Sequence, residues 1–303
     1  MKYSMKAAAV LSATLALTSA QELEKPALTS NLDYLLDGNA NSLPTVSHQT
    51  SLWASGSIPQ DCKDLGEGEG HSASDFEVYD VTFDDCADPW LFCRHKEVEV
   101  DIDTAAETFS KIPVAMRDWV RQVLLLPGGN SAFATNGNVA FIGTTGESID
   151  VMLHETGHGL DGFAAFGENL STGDGFLAAY DADTHVPDDY ARSSQAENVA
   201  QNVVVAVYDS NVPGGFPGIQ DQYTAIQNQY SYIKDLGGDA LVPGGTCNRH
   251  LENSETVQIG SVASNTTASS KRSRVFRGRD TGFKGTYSHI VRDFVPFEHR
   301  EAF

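Results

Sequence analysis

Apolar and polar positions along this chain repeat at two periods, and the two alternate. From Phe76 to Phe83, and again around Val98–Ile102, apolar residues alternate with acidic ones, the pattern of half-buried strands. Pro113–Leu126 reads as a helix, with Pro113 near its first turn and Pro127-Gly128-Gly129 ending it. Ser131–Gly143 then carries Asn136-Gly137 between two apolar runs, a hairpin signal with Val139–Ile142 as the returning strand. After a Gly-Thr-Thr-Gly loop comes an apolar helical segment around Ile149–Leu160. Ser193–Tyr208 is a second strong helix, closed by Asp209-Ser210-Asn211 and a Pro/Gly loop to Gly218, and residues 219–236 form a third. Residues 21–75 are rich in Ser, Asn, Gly and Asp, include Gly66-Glu67-Gly68-Glu69-Gly70 and follow neither period. They read as loops, an N-terminal extension ahead of the main domain. No internal repeat is visible.

Both ends of the chain differ from its middle. Residues 1–20 have the form of a secretory signal peptide: Lys2 and Lys6, an apolar stretch from Ala7 to Leu17, then small residues through Ala20. That stretch is too short to span a bilayer, so secretion is expected and membrane anchoring is not. Residues 253–303 carry a net charge of +3, whereas the whole chain carries −21. This basic segment is expected to be a flexible tail, with a dibasic site at Lys271-Arg272. The acidity of the remainder argues against nucleic acid as a partner. A monomer is expected.

Four cysteines in an exported chain suggest two disulfides, with three pairings open. None is spaced C-x-x-C, which disfavours a cysteine zinc site. Cys247 is expected to tie the C-terminal edge of the domain back toward its N-terminal region. Asn169-Leu170-Ser171 and Asn265-Thr266-Thr267 are glycan acceptor sequences.

The chemistry concentrates in His154-Glu155-Thr156-Gly157-His158, an H-E-x-x-H pattern. On a helix, residues four apart share a face, so both imidazoles can grip one Zn²⁺ while Glu155 serves as general base. Gly157 and Gly159 permit close approach of other backbone. The third ligand must come from elsewhere. A metzincin completion is excluded, because Asp161 and Ala164 stand where Gly and His are required. The downstream candidates are Glu197, His185, Asp174, Asp181 and Asp183. Ser194 and Glu197 also fit a capping box, which would use the carboxylate merely on a backbone N–H. Glu197 nevertheless shares a helical stripe with Ala200, Val204 and Tyr208, and a carboxylate on a buried stripe needs a partner such as a metal.

The run His154 to Asp161, followed by Tyr190 and then by Glu197 seven residues later, resembles the gluzincin-type active site of the anthrax lethal factor protease domain. That resemblance covers roughly residues 139–208. The more polar Asn198-Val199-Ala200-Gln201 after Glu197 departs from the family pattern. Val186-Pro187-Asp188-Asp189-Tyr190 and Gln195–Gln201 also resemble the secreted conidiation-specific proteins of filamentous fungi. The first resemblance implies an α+β zincin-like metallopeptidase fold over residues 76–252, a small mixed sheet over an active-site helix. It implies zinc on His154, His158 and Glu197, Glu155 as general base and Tyr190 as hydrogen-bond donor to an oxyanion. Asp161 would orient a ligand or brace the helix. The function expected from it is a secreted zinc-dependent endopeptidase acting on a peptide or protein substrate. The alternatives are a catalytically silent zinc-binding developmental or cell-surface protein, and a metal-free adhesive protein.

Overall fold

The computed structural model describes residues 22–259. The expected signal peptide, the sequon at Asn265 and most of the basic segment lie outside the described residues. The first third of the chain forms β1 (Ala27–Thr29), α1 (Leu36–Ser42), β2 (His48–Leu52), β3 (Ser57–Pro59), α2 (Gln60–Gly68), β4 (Phe76–Phe83) and β5 (Trp90–His95). The middle forms α3 (Ile102–Ser110), α4 (Val114–Arg117), β6 (Gln122–Leu126), β7 (Ser131–Thr135), β8 (Asn138–Ile142) and α5 (Ile149–Gly162). Then follow α6 (Asp174–Ala182), β9 (Val186–Asp188), α7 (Gln195–Asn211), α8 (Gln227–Gly237) and β10 (Thr256–Gln258). The class is α+β, as expected. Among the described residues no helix is long and apolar enough to cross a membrane.

Six strands form one sheet in the order β2-β4-β5-β6-β8-β7. Its β5–β6 and β6–β8 pairs are parallel and the others antiparallel. Both faces are covered. Val123 and Leu125 of β6 point into the larger core with α5 and α7, while Leu124 and Leu126 point into a second core with Ile58, Cys62 and Phe76. A strand buried on both faces is apolar throughout. This is why Pro113–Leu126, expected as one helix, is instead the short α4, a turn and then β6. A continuous apolar run does not distinguish a buried strand from a buried helix. The strand expected at Val98–Ile102 is also absent: Val98 and Val100 are buried in the connection to α3, and Arg94 donates to both of their carbonyls at 2.8 Å.

Residues 21–75, read as loops, supply α1, β2 at one sheet edge, and the layer of β3 and α2 over the second face. The glycine-rich run hid α2 because Gly66 serves packing: a Cβ there would lie 2.6 Å from the Phe76 ring. Disulfides join Cys62 to Cys93 and Cys86 to Cys247. The first pins α2 to β5. The second closes the C-terminal edge onto the first half of the chain. Thr256–Gln258, inside the stretch expected as a flexible tail, pairs with β3 as β10.

Candidate metal centre

Ser148 starts α5 by accepting the Val151 N–H on its side chain, and the helix then runs buried along nearly its whole length. α7 crosses it closely. A Cβ on Gly157 would lie 3.2 Å from Ala200 Cα, so the glycine sets how near the two helices approach. The expectation that Gly157 and Gly159 admit other backbone holds, since a Cβ on Gly159 would meet the Trp119 carbonyl at 2.9 Å.

Across this crossing His154 Nε2 lies 3.1 Å from Glu197 Oε2, His158 Nε2 lies 3.2 Å from the same oxygen, and the two imidazole nitrogens are 3.1 Å apart. All three residues are buried, and one donor atom from each falls within 4.8 Å of the others. Burial pushes the Glu197 carboxyl up, but the two histidines beside it outweigh this and hold it down at about 2. Three donor atoms converging in a buried space could hold a cation, and two imidazoles with a carboxylate are a donor set suited to zinc. The residues present therefore fit the ion. Ser194 does accept the Glu197 N–H at 3.2 Å, the serine half of a capping box, while the Glu197 carboxylate turns to the histidines.

The other downstream candidates lie apart. Asp183 caps α8, accepting from the backbone N–H groups of Asn228 and Gln229, and His185 Nδ1 meets Thr184 Oγ1 at 2.9 Å. Asp174 and Asp181 are exposed on α6. Glu155 is fully buried, and Tyr190, opening the turn after β9, sets its ring centroid 5.6 Å from that of His154 at a tilt of 57°. Both line a cleft of about 430 Å³ together with His154, Asp150, Asp188 and Gln201. Asp161 braces the end of α5: its Oδ1 accepts the Ser171 N–H at 2.8 Å. Burial raises its carboxyl, with Ser171 and His158 opposing. Asn169 donates to the Asp161 carbonyl at 2.6 Å, so the nitrogen of this sequon is already engaged.

Sequence reasoning passed over Gln201 and Asp188. Gln201 follows Glu197 by one helical turn, and its Oε1 lies 3.0 Å from His154 Nδ1. That polar position four residues on was the available signal. The polar residues after Glu197 thus have two destinations. Asn198 bonds Gln229 of α8 at 2.8 Å, and Gln201 faces His154. Asp188, brought in by β9, carried no local signal.

Comparison with known proteins places the chain in a family. The family model described as Conidiation-specific protein Con-13 matches residues 30–293. The chain is 31% identical over 242 residues to Conidiation-specific protein 13 of Neurospora crassa, an alignment covering 75% of this chain and 68% of the relative. No solved structure matches the chain. The expectation of a fungal conidiation-specific relative is therefore met, and the chain belongs to the Con-13 family.

Proposed function

We propose that this chain is an exported zinc-binding protein of conidial development that holds one zinc ion on His154, His158 and Glu197. The relative's name, conidiation-specific, supports the developmental part. Two disulfides fit an oxidising, extracellular setting. The observation that carries the metal is the convergence of three buried donors within 4.8 Å across the α5–α7 crossing.

A second reading, peptide-bond hydrolysis at the same centre, is favoured by Glu155 and Tyr190. A site that only stores or displays zinc has no use for a buried carboxylate beside its ligands on the wall of a cleft. When bound, zinc would polarise the scissile carbonyl and acidify water. Glu155 would accept the proton of the attacking water and pass it to the leaving amine. Tyr190 would donate a hydrogen bond to the developing oxyanion. The mixed sheet beside a helix that carries His154, Glu155 and His158 is compatible with this reading.

Metal analysis of the purified protein, paired with cleavage assays on casein and a peptide library, separates the readings. One zinc per chain in wild type and Glu155→Gln, with loss of zinc in Glu197→Ala, is the expected result. Cleavage by wild type that vanishes in Glu155→Gln establishes hydrolysis. Zinc without any cleavage leaves the silent developmental protein. A protein with neither bound zinc nor stabilisation by zinc sinks both.

A further inference from the structure

We propose that Gln201 and Asp188 form a relay that fixes the tautomer of His154, making both of them positioning residues for the metal centre. This rests on the zinc reading, although its first consequence is visible without metal. Gln201 stands between the two groups: Oε1 faces His154 Nδ1 at 3.0 Å, and Nε2 donates to Asp188 Oδ2. Asp188 is itself held, its Oδ1 accepting the Ala191 N–H at 2.9 Å. It is 1% exposed, so water does not compete for the carboxylate.

The direction of the relay follows from what each group can do. An ionised carboxylate only accepts, so Asp188 selects the NH₂ end of the Gln201 amide. The carbonyl end is then left for His154. A carbonyl also only accepts, so His154 Nδ1 must carry the hydrogen. His158 Nε2, 3.2 Å from Glu197 Oε2, is placed to give that carboxylate its hydrogen, which leaves the lone pair on His154 Nε2, the atom 3.1 Å from both Glu197 Oε2 and His158 Nε2. Reversing the amide would set two acceptors against each other at Asp188. Metal-binding histidines commonly donate their second N–H to a carboxylate or carbonyl. Here a neutral amide separates the Nδ1 side of the imidazole from the Asp188 carboxylate.

The far end of the relay is anchored by the N-terminal segment. β1 pairs in parallel with β9, placing Thr29 opposite Asp188, and Val186 donates to the Pro26 carbonyl at 3.0 Å. The strand that delivers Asp188 also leads directly into Tyr190.

The test uses the full chain with ¹⁵N-labelled histidine, metal-free and at mildly alkaline pH. Long-range ¹H–¹⁵N correlation should show His154 as a single tautomer protonated at Nδ1. Gln201→Leu should give a mixture of tautomers. Gln201→Glu combined with Asp188→Asn keeps an acceptor facing His154 and a donor facing residue 201, and should restore the single form. Zinc affinity, measured by chelator competition, should fall roughly 10–100-fold in Gln201→Leu. Asp188→Asn, whose amide can meet either end of Gln201, should fall between that variant and wild type. The visible bands of the cobalt-substituted protein should shift in the same order, a signature that general loosening of the fold would not produce. An unchanged tautomer in Gln201→Leu, or zinc affinity altered by less than about two-fold, overturns the relay. Wild type that holds the tautomer yet binds no zinc removes the metal reading and leaves the relay standing. Wild type that binds zinc from a mixed tautomer does the reverse.

Discussion

Asp150 shows how a single carboxylate is set by its surroundings. It lies in the first turn of α5, where a negative charge suits the helix dipole, and its Oδ1 accepts from Asn39 Nδ2 at 2.8 Å. Burial pushes the carboxyl up to about 7; the Asn39 bond opposes this and Asp33 adds to it. A folded-state value above the unfolded 3.8 means that the native protein binds the extra proton. The stabilisation is therefore complete at low pH and is lost as pH rises through about 7. Each unit of such a shift corresponds to about 1.4 kcal/mol. Asp150→Asn, which has no charge to bury, should melt above wild type on the alkaline side and flatten the pH dependence between the two values. Parallel pH slopes in both proteins would refute this. At this scale the candidate metal centre was partly legible. His154, Glu155 and His158 are a local motif, and Glu197 was marked by its place on an apolar stripe. Asp188 and Asp150 were not, because their roles depend on partners far away in sequence.

At the scale of elements, the crossing of α5 and α7 decides whether three donors meet. Gly157→Ala brings two opposing effects: about 1 kcal/mol gained in helix propensity, against about 1–3 kcal/mol for crowding Ala200 and Val203. Stability should hold level or fall by up to about 2 kcal/mol, while zinc affinity falls because the helices carrying the proposed ligands are pushed apart. A rise in melting temperature with undiminished zinc binding would show that the crossing tolerates the methyl. In β6, Leu124→Ala opens a cavity in the core between the sheet and α2 and should cost about 2–5 kcal/mol by denaturant titration, with zinc binding spared. A loss below about 1 kcal/mol would mean that this face collapses around the gap. Element type was legible where one face is wet, as in β4 with its alternating burial. It failed in β6, where both faces are dry and the period disappears.

Over the whole molecule, the two disulfides close loops of different size, with sequence separations of 31 and 161 residues. Chain entropy then assigns roughly 3.5 kcal/mol to Cys62–Cys93 and about 5 kcal/mol to Cys86–Cys247. Replacing Cys86 and Cys247 by Ala should lower the denaturation midpoint more than replacing Cys62 and Cys93. The opposite order would place the greater contribution in the packing of α2 against β5. The α+β class came through the family resemblance. Several features were determined by the sequence alone: the H-E-x-x-H helix, the stripe bearing Glu197, and an even set of cysteines in an acidic chain. These are local or compositional properties, written within one helical turn, one alternating strand or a residue count. The pairing of the cysteines, the burial of β6 on both faces, the incorporation of residues 22–75 into the fold and the path from Asp188 through Gln201 to His154 were decided only in three dimensions. Each depends on which distant segments pack together, and that outcome is set by competition among buried surfaces across the whole chain.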